Sequence, residues 1–260
     1  MGAHDPQFIT VGSGTAARRI AYLADPPHDG ATGLVWLTGL KSDMVSTKAE
    51  ALAAWTAARG LGYTRFDYSG HGRSEGRFED ATLSDWLDES EAVFRKVTKG
   101  PQILVGSSTG AHVALLLLRR LMETAPDEAA RVRGLVLVAP AWDLTELMWS
   151  QLSGEAQREI AEKGQWVRPS AYDPAGYVIT RRFIEDGRRH LFKGAAFDPG
   201  RPVLVLQGAE DRDVPIAHAR ALRDVLAGNW VRITEIPDGE HRLSRPEDLA
   251  KLYALVEELL

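Results

Sequence analysis

Four short runs of the 260-residue chain, GLVWLTG (33–39), QILVG (102–106), GLVLVAPA (134–141) and PVLVLQG (202–208), are apolar at almost every position. They lack the polar alternation of a strand with one wet face, so they suit parallel strands covered on both sides. GYTRFDYSG (62–70) is more polar but strand-like, and WVRITEIP (230–237) predicts a last strand. The stretches between them predict helices at 44–59, 82–97, 109–122, 215–226 and 245–260. Alternating strand and helix imply an α/β fold with a largely parallel sheet. QFITVG and ARRIAYL, around a Gly-Ser-Gly turn, instead predict a hairpin at the sheet edge. The interval 143–198 separates two strands by far more than an ordinary crossover, and it predicts a helical cap inserted into a single domain spanning 1–260.

The pattern G-x-S-x-G occurs twice, as GRSEG (72–76) and GSSTG (106–110). A nucleophile elbow needs an apolar strand running into the serine, small flanking residues for the sharp turn, and a helix immediately after. QILVGSSTGAHVALLLLRRL meets all three conditions, with Ser108 central and Ser107 at the variable position before it. GRSEG follows a loop and precedes the acidic RFEDATLSDW, so Ser74 is expected to be a loop residue.

A serine hydroxyl needs a base, and the base needs a carboxylate to hold its tautomer. On an elbow of this kind the chain order is Ser, then Asp or Glu, then His. QGAEDRDVP follows a late strand and offers Asp211, with Asp213 as the alternative and Glu210 a weaker third. His241, in PDGEHRLSRPEDL, lies just before the final helix and is the expected base. The other histidines fit less well: His4 and His28 lie in terminal and linking loops, His190 in the cap and His218 on a helix expected to face away. His112 is expected to be packed or partly exposed behind the elbow, and His71 to lie in a loop that could line the site. The oxyanion donors would be the backbone N–H groups of Thr109 and Leu40, with Gly39 allowing close approach.

Composition narrows the alternatives. Zero cysteines exclude disulfides, thiolate nucleophiles and Cys-ligated metals, and no H-E-x-x-H or similar signature suggests a metal or cofactor. Thirty-one Lys and Arg against 36 Asp and Glu give a net charge of −5, which offers no general attraction to nucleic acid or anionic lipid. No apolar run reaches the length of a membrane span, and the opening MGAHDPQFIT lacks the features of a signal peptide, so the expected location is cytoplasmic. GSGTAA (12–17) matches a nucleotide-binding pattern, but Pro26 and Pro27 leave too little room for the helix it requires.

GSSTG, GAEDRDVP, GEH and RFDYSGHGRSEG together resemble the α/β-hydrolase superfamily over nearly the whole chain. The D-x-x-G-x-G-x-S loop is a recurrent feature of that superfamily, which accounts for Ser74. Within it, GYTRFDYSGHGRSEGRFED and GPQILVGSSTG are similar to the mitochondrial palmitoyl-protein thioesterase group that also cleaves mycophenolic acid acyl-glucuronide, and to its bacterial relatives. That resemblance implies hydrolysis of a small-molecule ester or thioester, or of an acylated protein, with Ser108 as nucleophile, Asp211 as acid and His241 as base. Thr38 and Gln207 depart from it, since many members carry histidine at both positions. The cap aromatics Trp142, Trp149, Trp166, Tyr172, Tyr177, Phe183 and Phe192 either line an acyl pocket or dock the cap on the body. The basic segment RRFIEDGRRHLFK either holds an anionic group or forms a solvated face. Peptidase, C–C hydrolase, acyltransferase and non-catalytic receptor readings are open on the same fold.

Overall fold

A central sheet of eight strands organises the chain. The computed structural model describes residues 5–28, 30–169, 176–195 and 197–260. The strands are β1 (Gln7–Val11), β2 (Arg18–Asp25), β3 (Gly33–Leu37), β4 (Gly62–Phe66), β5 (Gln102–Ser107) and β6 (Val132–Val138), followed by a cap ribbon, β7 (Gln165–Arg168) and β8 (Tyr177–Thr180), and then β9 (Val203–Gly208) and β10 (Val231–Ile236). The main sheet runs β1-β2-β4-β3-β5-β6-β9-β10. β1 and β2 form the expected edge hairpin, β2 meets β4 antiparallel, and every later pairing is parallel. The Gly-rich turn between β1 and β2 holds one 3-10 turn, Gly14–Ala16, where a nucleotide-binding motif would need an α-helix.

The helices are α1 (Thr47–Ala57), α2 (Leu83–Val97), α3 (Thr109–Thr124), α4 (Pro126–Ala129), α5 (Leu144–Gln151), α6 (Gly154–Lys163), α7 (Arg181–Gly187), α8 (Ile216–Val225) and α9 (Pro246–Glu257). Several start where the sequence supplies a cap. Thr82 and Asp85 form a reciprocal capping box on α2, Ser153 accepts the Ala156 N–H on α6, and Pro246 opens α9.

Alternate residues of the sheet strands feed two cores. Leu34, Trp36, Ile103, Val105, Val136 and Val138 pack with Leu52 of α1 and Leu252 of α9. Val35, Leu37, Leu104, Leu135 and Leu137 pack on the other face with α2 and α3, where Val113 to Leu118 are all buried. This two-sided burial is why the strands read as unbroken apolar runs.

The long interval after β6 carries α5, α6 and α7, as its helical reading implied, together with the antiparallel ribbon β7–β8. The ribbon is an addition to that reading, because strands of four residues leave little pattern in the sequence. Among the described residues, no helix is long and apolar enough to cross a membrane.

Candidate active site

β3 leads to β4 on one side of the sheet and β5 returns on the other, so the strand order reverses between β3 and β5. A crevice opens at such a point beyond the strand ends, and loops there can converge on a ligand. The backbone is unusual in the same region: Lys41 after β3, Ser108 after β5, Ala139 after β6 and Leu243 before α9 all have positive φ. Non-glycine residues held this way cost about 1–3 kcal/mol each and gather where structure is committed to a site.

Ser108 has φ 54° and ψ −114°, between β5 and α3. The turn is tight enough to require both flanking glycines. A Cβ on Gly106 would lie 2.4 Å from the Gly110 carbonyl oxygen, and one on Gly110 would lie 2.0 Å from that of Leu37. Ser108 stands at the N-cap position of α3, yet its side chain makes no capping hydrogen bond. Ser108 lines the pocket with its side chain uncommitted to the helix, and Ser107, the last residue of β5, lines it as well. Ser74 lies elsewhere: its Oγ accepts the Ala21 N–H at 2.8 Å and donates to the Asp67 carbonyl at 2.6 Å, pinning its loop to β2.

His241 Nδ1 lies 2.8 Å from Asp211 Oδ2, and the Asp211 side chain is wholly buried. Gln207 Nε2 donates to the same oxygen at 3.2 Å, while the N–H groups of Asp213 and Val214 donate to Oδ1 at 2.9 and 2.8 Å. Four donors satisfy this carboxylate and fix its plane. The two loops meet because Gly208 and Gly239 pack backbone to backbone, a Cβ on Gly208 falling 2.3 Å from the Gly239 carbonyl oxygen. Asp213 also lines the cavity, with a carboxylate oxygen within 4.8 Å of a His241 ring nitrogen, but its hydrogen bonds go to the cap: its carboxylate is 3.5 Å from Arg168 Nη2, and its carbonyl accepts from Gln151. Glu210 is exposed.

Ser108 and His241 line one cavity of about 740 Å³, together with Leu40 and Thr109. Thr109 opens α3, where N–H groups have no partner within the helix. Aliphatic side chains of Leu144, Leu147, Met148 and Val214 form an apolar wall. Lys48 also lines the cavity and donates to the Arg242 carbonyl, bracing the His241 loop, and burial lowers its pKa to about 8.

The remaining candidates have structural contacts. His112 is buried and bridges to the cap, with Nε2 3.2 Å from the His190 carbonyl and Nδ1 accepting from Leu144 N–H; burial depresses its pKa to about 3. His218 stacks on Trp142 with ring centroids 4.3 Å apart. His190 meets Ser84 of α2, 2.7 Å from its Oγ. His28 is exposed in its loop. His71 does not line the cavity; it is buried behind the loop that does. Among the described cap aromatics only Tyr177 lines the cavity, while Trp142, Phe183 and Phe192 are buried in the packing between cap and body. In the basic segment Arg181, Arg182, Arg188 and Arg189 approach Glu185, Asp85, Glu146 and Asp186 on its outer face. Tyr172 and His4 lie outside the described residues. Sequence reasoning missed the support that Gln207 and Lys48 give: Gln207 stood out only as a departure from the expected histidine, and Lys48 carried no signal.

The profile of the alpha/beta hydrolase family matches residues 17–252, nearly the whole chain. The chain belongs to that family. It is 30% identical over 229 residues to the mouse mitochondrial palmitoyl-protein thioesterase ABHD10, a match covering 88% of this chain and 75% of the mouse protein. Among solved structures it is similar to a putative hydrolase from Agrobacterium vitis S4, with 40% identity, a TM-score of 0.93 and 98% of each chain covered. Alpha/beta hydrolase domain-containing protein 10 from mouse superposes with a TM-score of 0.84 at 28% identity, again over 98% of each chain.

Proposed function

We propose that the protein is a serine hydrolase of carboxylic esters or acyl thioesters, acting through Ser108, His241 and Asp211. The observation that carries this reading is His241, on the wall of the cavity that Ser108 lines from its strained elbow, held 2.8 Å from the buried Asp211 carboxylate. With Asp211 accepting from Nδ1–H, Nε2 carries the lone pair that a base needs. Ser108 Oγ attacks the substrate carbonyl carbon while its proton passes to His241 Nε2. The negative charge moves to the carbonyl oxygen, held by the N–H groups of Leu40 and Thr109. Collapse breaks the bond to the alcohol or thiol, which leaves with the proton from His241. Water, deprotonated by the same nitrogen, then attacks the acyl-Ser108 ester; the C–O bond to Ser108 breaks, His241 returns the proton to Ser108 Oγ, and the carboxylic acid is released.

The resemblance to a palmitoyl-protein thioesterase supports thioesters as substrates, and the aliphatic wall of the cavity supports an acyl chain of some length. The test is hydrolysis of p-nitrophenyl esters of increasing acyl length, and of an acyl-CoA, by the wild type and Ser108→Ala. Serine-dependent turnover is expected. No turnover of any of them by the folded wild type would transfer the site to peptidase, C–C hydrolase, acyltransferase or receptor roles.

A further inference from the structure

The D-x-x-G-x-G-x-S loop, residues 67–74, takes no part in the chemistry proposed above, yet it grips the oxyanion segment at two points. Asp67 Oδ1 accepts the Met44 N–H at 2.7 Å, and His71 Nε2 accepts the Lys41 N–H at 3.0 Å. Between these contacts the chain has no helix or strand, and it carries Lys41 at φ 55°. The turn closes on itself through the Ser42 N–H, which donates to the Gly39 carbonyl at 3.1 Å, but the left-handed Lys41 within it is strained, and the contacts from the neighbouring loop oppose that strain.

His71 is built for one role at this contact. Its ring is 4% exposed and packs edge-on against Tyr68, Phe78 and Trp86 at centroid distances of 5.7, 5.5 and 5.1 Å. Nδ1 lies 3.2 Å from the Ser69 carbonyl oxygen. A carbonyl only accepts and an amide N–H only donates, so the two partners together select the neutral ring with its proton on Nδ1. Burial lowers its pKa to about 4, so this form persists through neutral pH. The Leu40–Lys41 peptide plane that the ring holds is joined through the Leu40 Cα to the plane bearing the Leu40 N–H.

We propose that His71 is a positioning residue for the oxyanion hole: its Nε2 lone pair fixes the Leu40–Lys41 peptide, so that the Leu40 N–H is aimed at the oxyanion before substrate binds. This rests on the hydrolase reading, with Leu40 as an oxyanion donor. Removing a donor outright typically costs 10²–10³ in kcat, so freeing one to wander costs about tenfold to a hundredfold.

The test compares His71→Phe, which keeps a ring in the aromatic cage and removes the acceptor, with His71→Gln, whose amide oxygen can take the place of Nε2. For His71→Phe, kcat on a p-nitrophenyl ester is expected to fall about tenfold to a hundredfold. KM should be little changed, and labelling of Ser108 by a fluorophosphonate should slow in step. His71→Gln should recover most of both rates. A folded His71→Phe within about twofold of wild type would overturn the proposal, and so would a His71→Gln as slow as His71→Phe, which would assign the ring to packing alone. Long-range nitrogen NMR of the wild type gives a readout that needs no variant to fold: the Nδ1–H tautomer is expected, and an Nε2–H tautomer would overturn the proposal. A wild type that neither turns over ester nor takes the label would sink the hydrolase reading and this inference with it. An active wild type with an unaffected His71→Phe would sink the inference alone.

Discussion

Replacing Asp211 by Asn changes one atom and reverses one hydrogen bond. The native carboxylate takes two backbone N–H groups on Oδ1 and both His241 Nδ1 and Gln207 Nε2 on Oδ2. Asparagine keeps the first pair by pointing its oxygen at them, which turns its NH2 toward the other two donors. His241 must then present a bare Nδ1 and carry its proton on Nε2, where it cannot take the proton of Ser108. Loss of the working tautomer costs about 10⁴ in kcat, equivalent to about 5.4 kcal/mol of barrier. Gln207 Nε2 loses one acceptor but keeps the carbonyl oxygens of Gly208 and Val214 at 3.1 and 3.0 Å, so the fold should be little destabilised. Asp213→Asn is the control, since its side chain is 41% exposed and meets Arg168 only at 3.5 Å. A pair of that kind contributes about 0–1 kcal/mol, so kcat should stay within about threefold. The assay is kcat and KM on a p-nitrophenyl ester against a Ser108→Ala baseline, with thermal melts to show that each variant is folded. An Asp211→Asn enzyme retaining a tenth of wild-type kcat, or an Asp213→Asn enzyme losing as much, would refute the reasoning.

Two further outcomes test the structural roles of residues outside the proposed chemistry. Ser74→Ala loses the acceptor for Ala21 N–H and the donor to the Asp67 carbonyl. It should unfold about 1–3 kcal/mol more easily while keeping most of its kcat, as read by urea melts and ester turnover; a loss of kcat as deep as that of Ser108→Ala, in folded protein, would contradict the elbow assignment. His71 and His112 have folded-state pKa values pushed down by burial, to about 4 and about 3, from an ordinary value of 6.5. The unfolded chain therefore binds more protons below pH 6.5, and the stability held above that pH is lost as pH falls toward 4 and 3. These two sites contribute up to about 2.7 kcal/mol per pH unit; His190 and His218, also lowered by burial, add to the slope, and Asp67, Glu89 and Asp143, raised by burial, oppose it. Denaturant midpoints between about pH 7 and 5 should show it, His112→Asn should lower the slope by about one proton, and an unchanged slope would disprove the burial argument.

The sheet and its helices were legible because two-sided burial writes a strong pattern. GLVWLTG became β3, QILVG opened β5, and the helix expected at 109–122 runs as Thr109–Thr124. The location of the elbow was legible for a steric reason: only glycine at 106 and 110 clears the carbonyl oxygens of Gly110 and Leu37. The choice between Asp211 and Asp213 was open in the sequence, since two carboxylates two residues apart differ only in which way the loop turns them. The fold turns one toward His241 and the other toward Arg168. The cap was least legible. Its aromatics look alike in sequence whether they line a cavity or fill an interface, and the apolar wall is made instead by Leu144, Leu147 and Met148, which look like ordinary helix residues. The links from Asp67 and His71 to the segment after β3 join parts of the chain more than twenty residues apart, through backbone N–H groups that carry no residue signature.

The most direct test of the central claim is where a fluorophosphonate attaches. Peptide mapping of the labelled wild type should find a single adduct on Ser108, absent from Ser108→Ala and strongly slowed in His241→Gln. An adduct on Ser107 or Ser74, or a folded wild type that takes no label, would contradict the account.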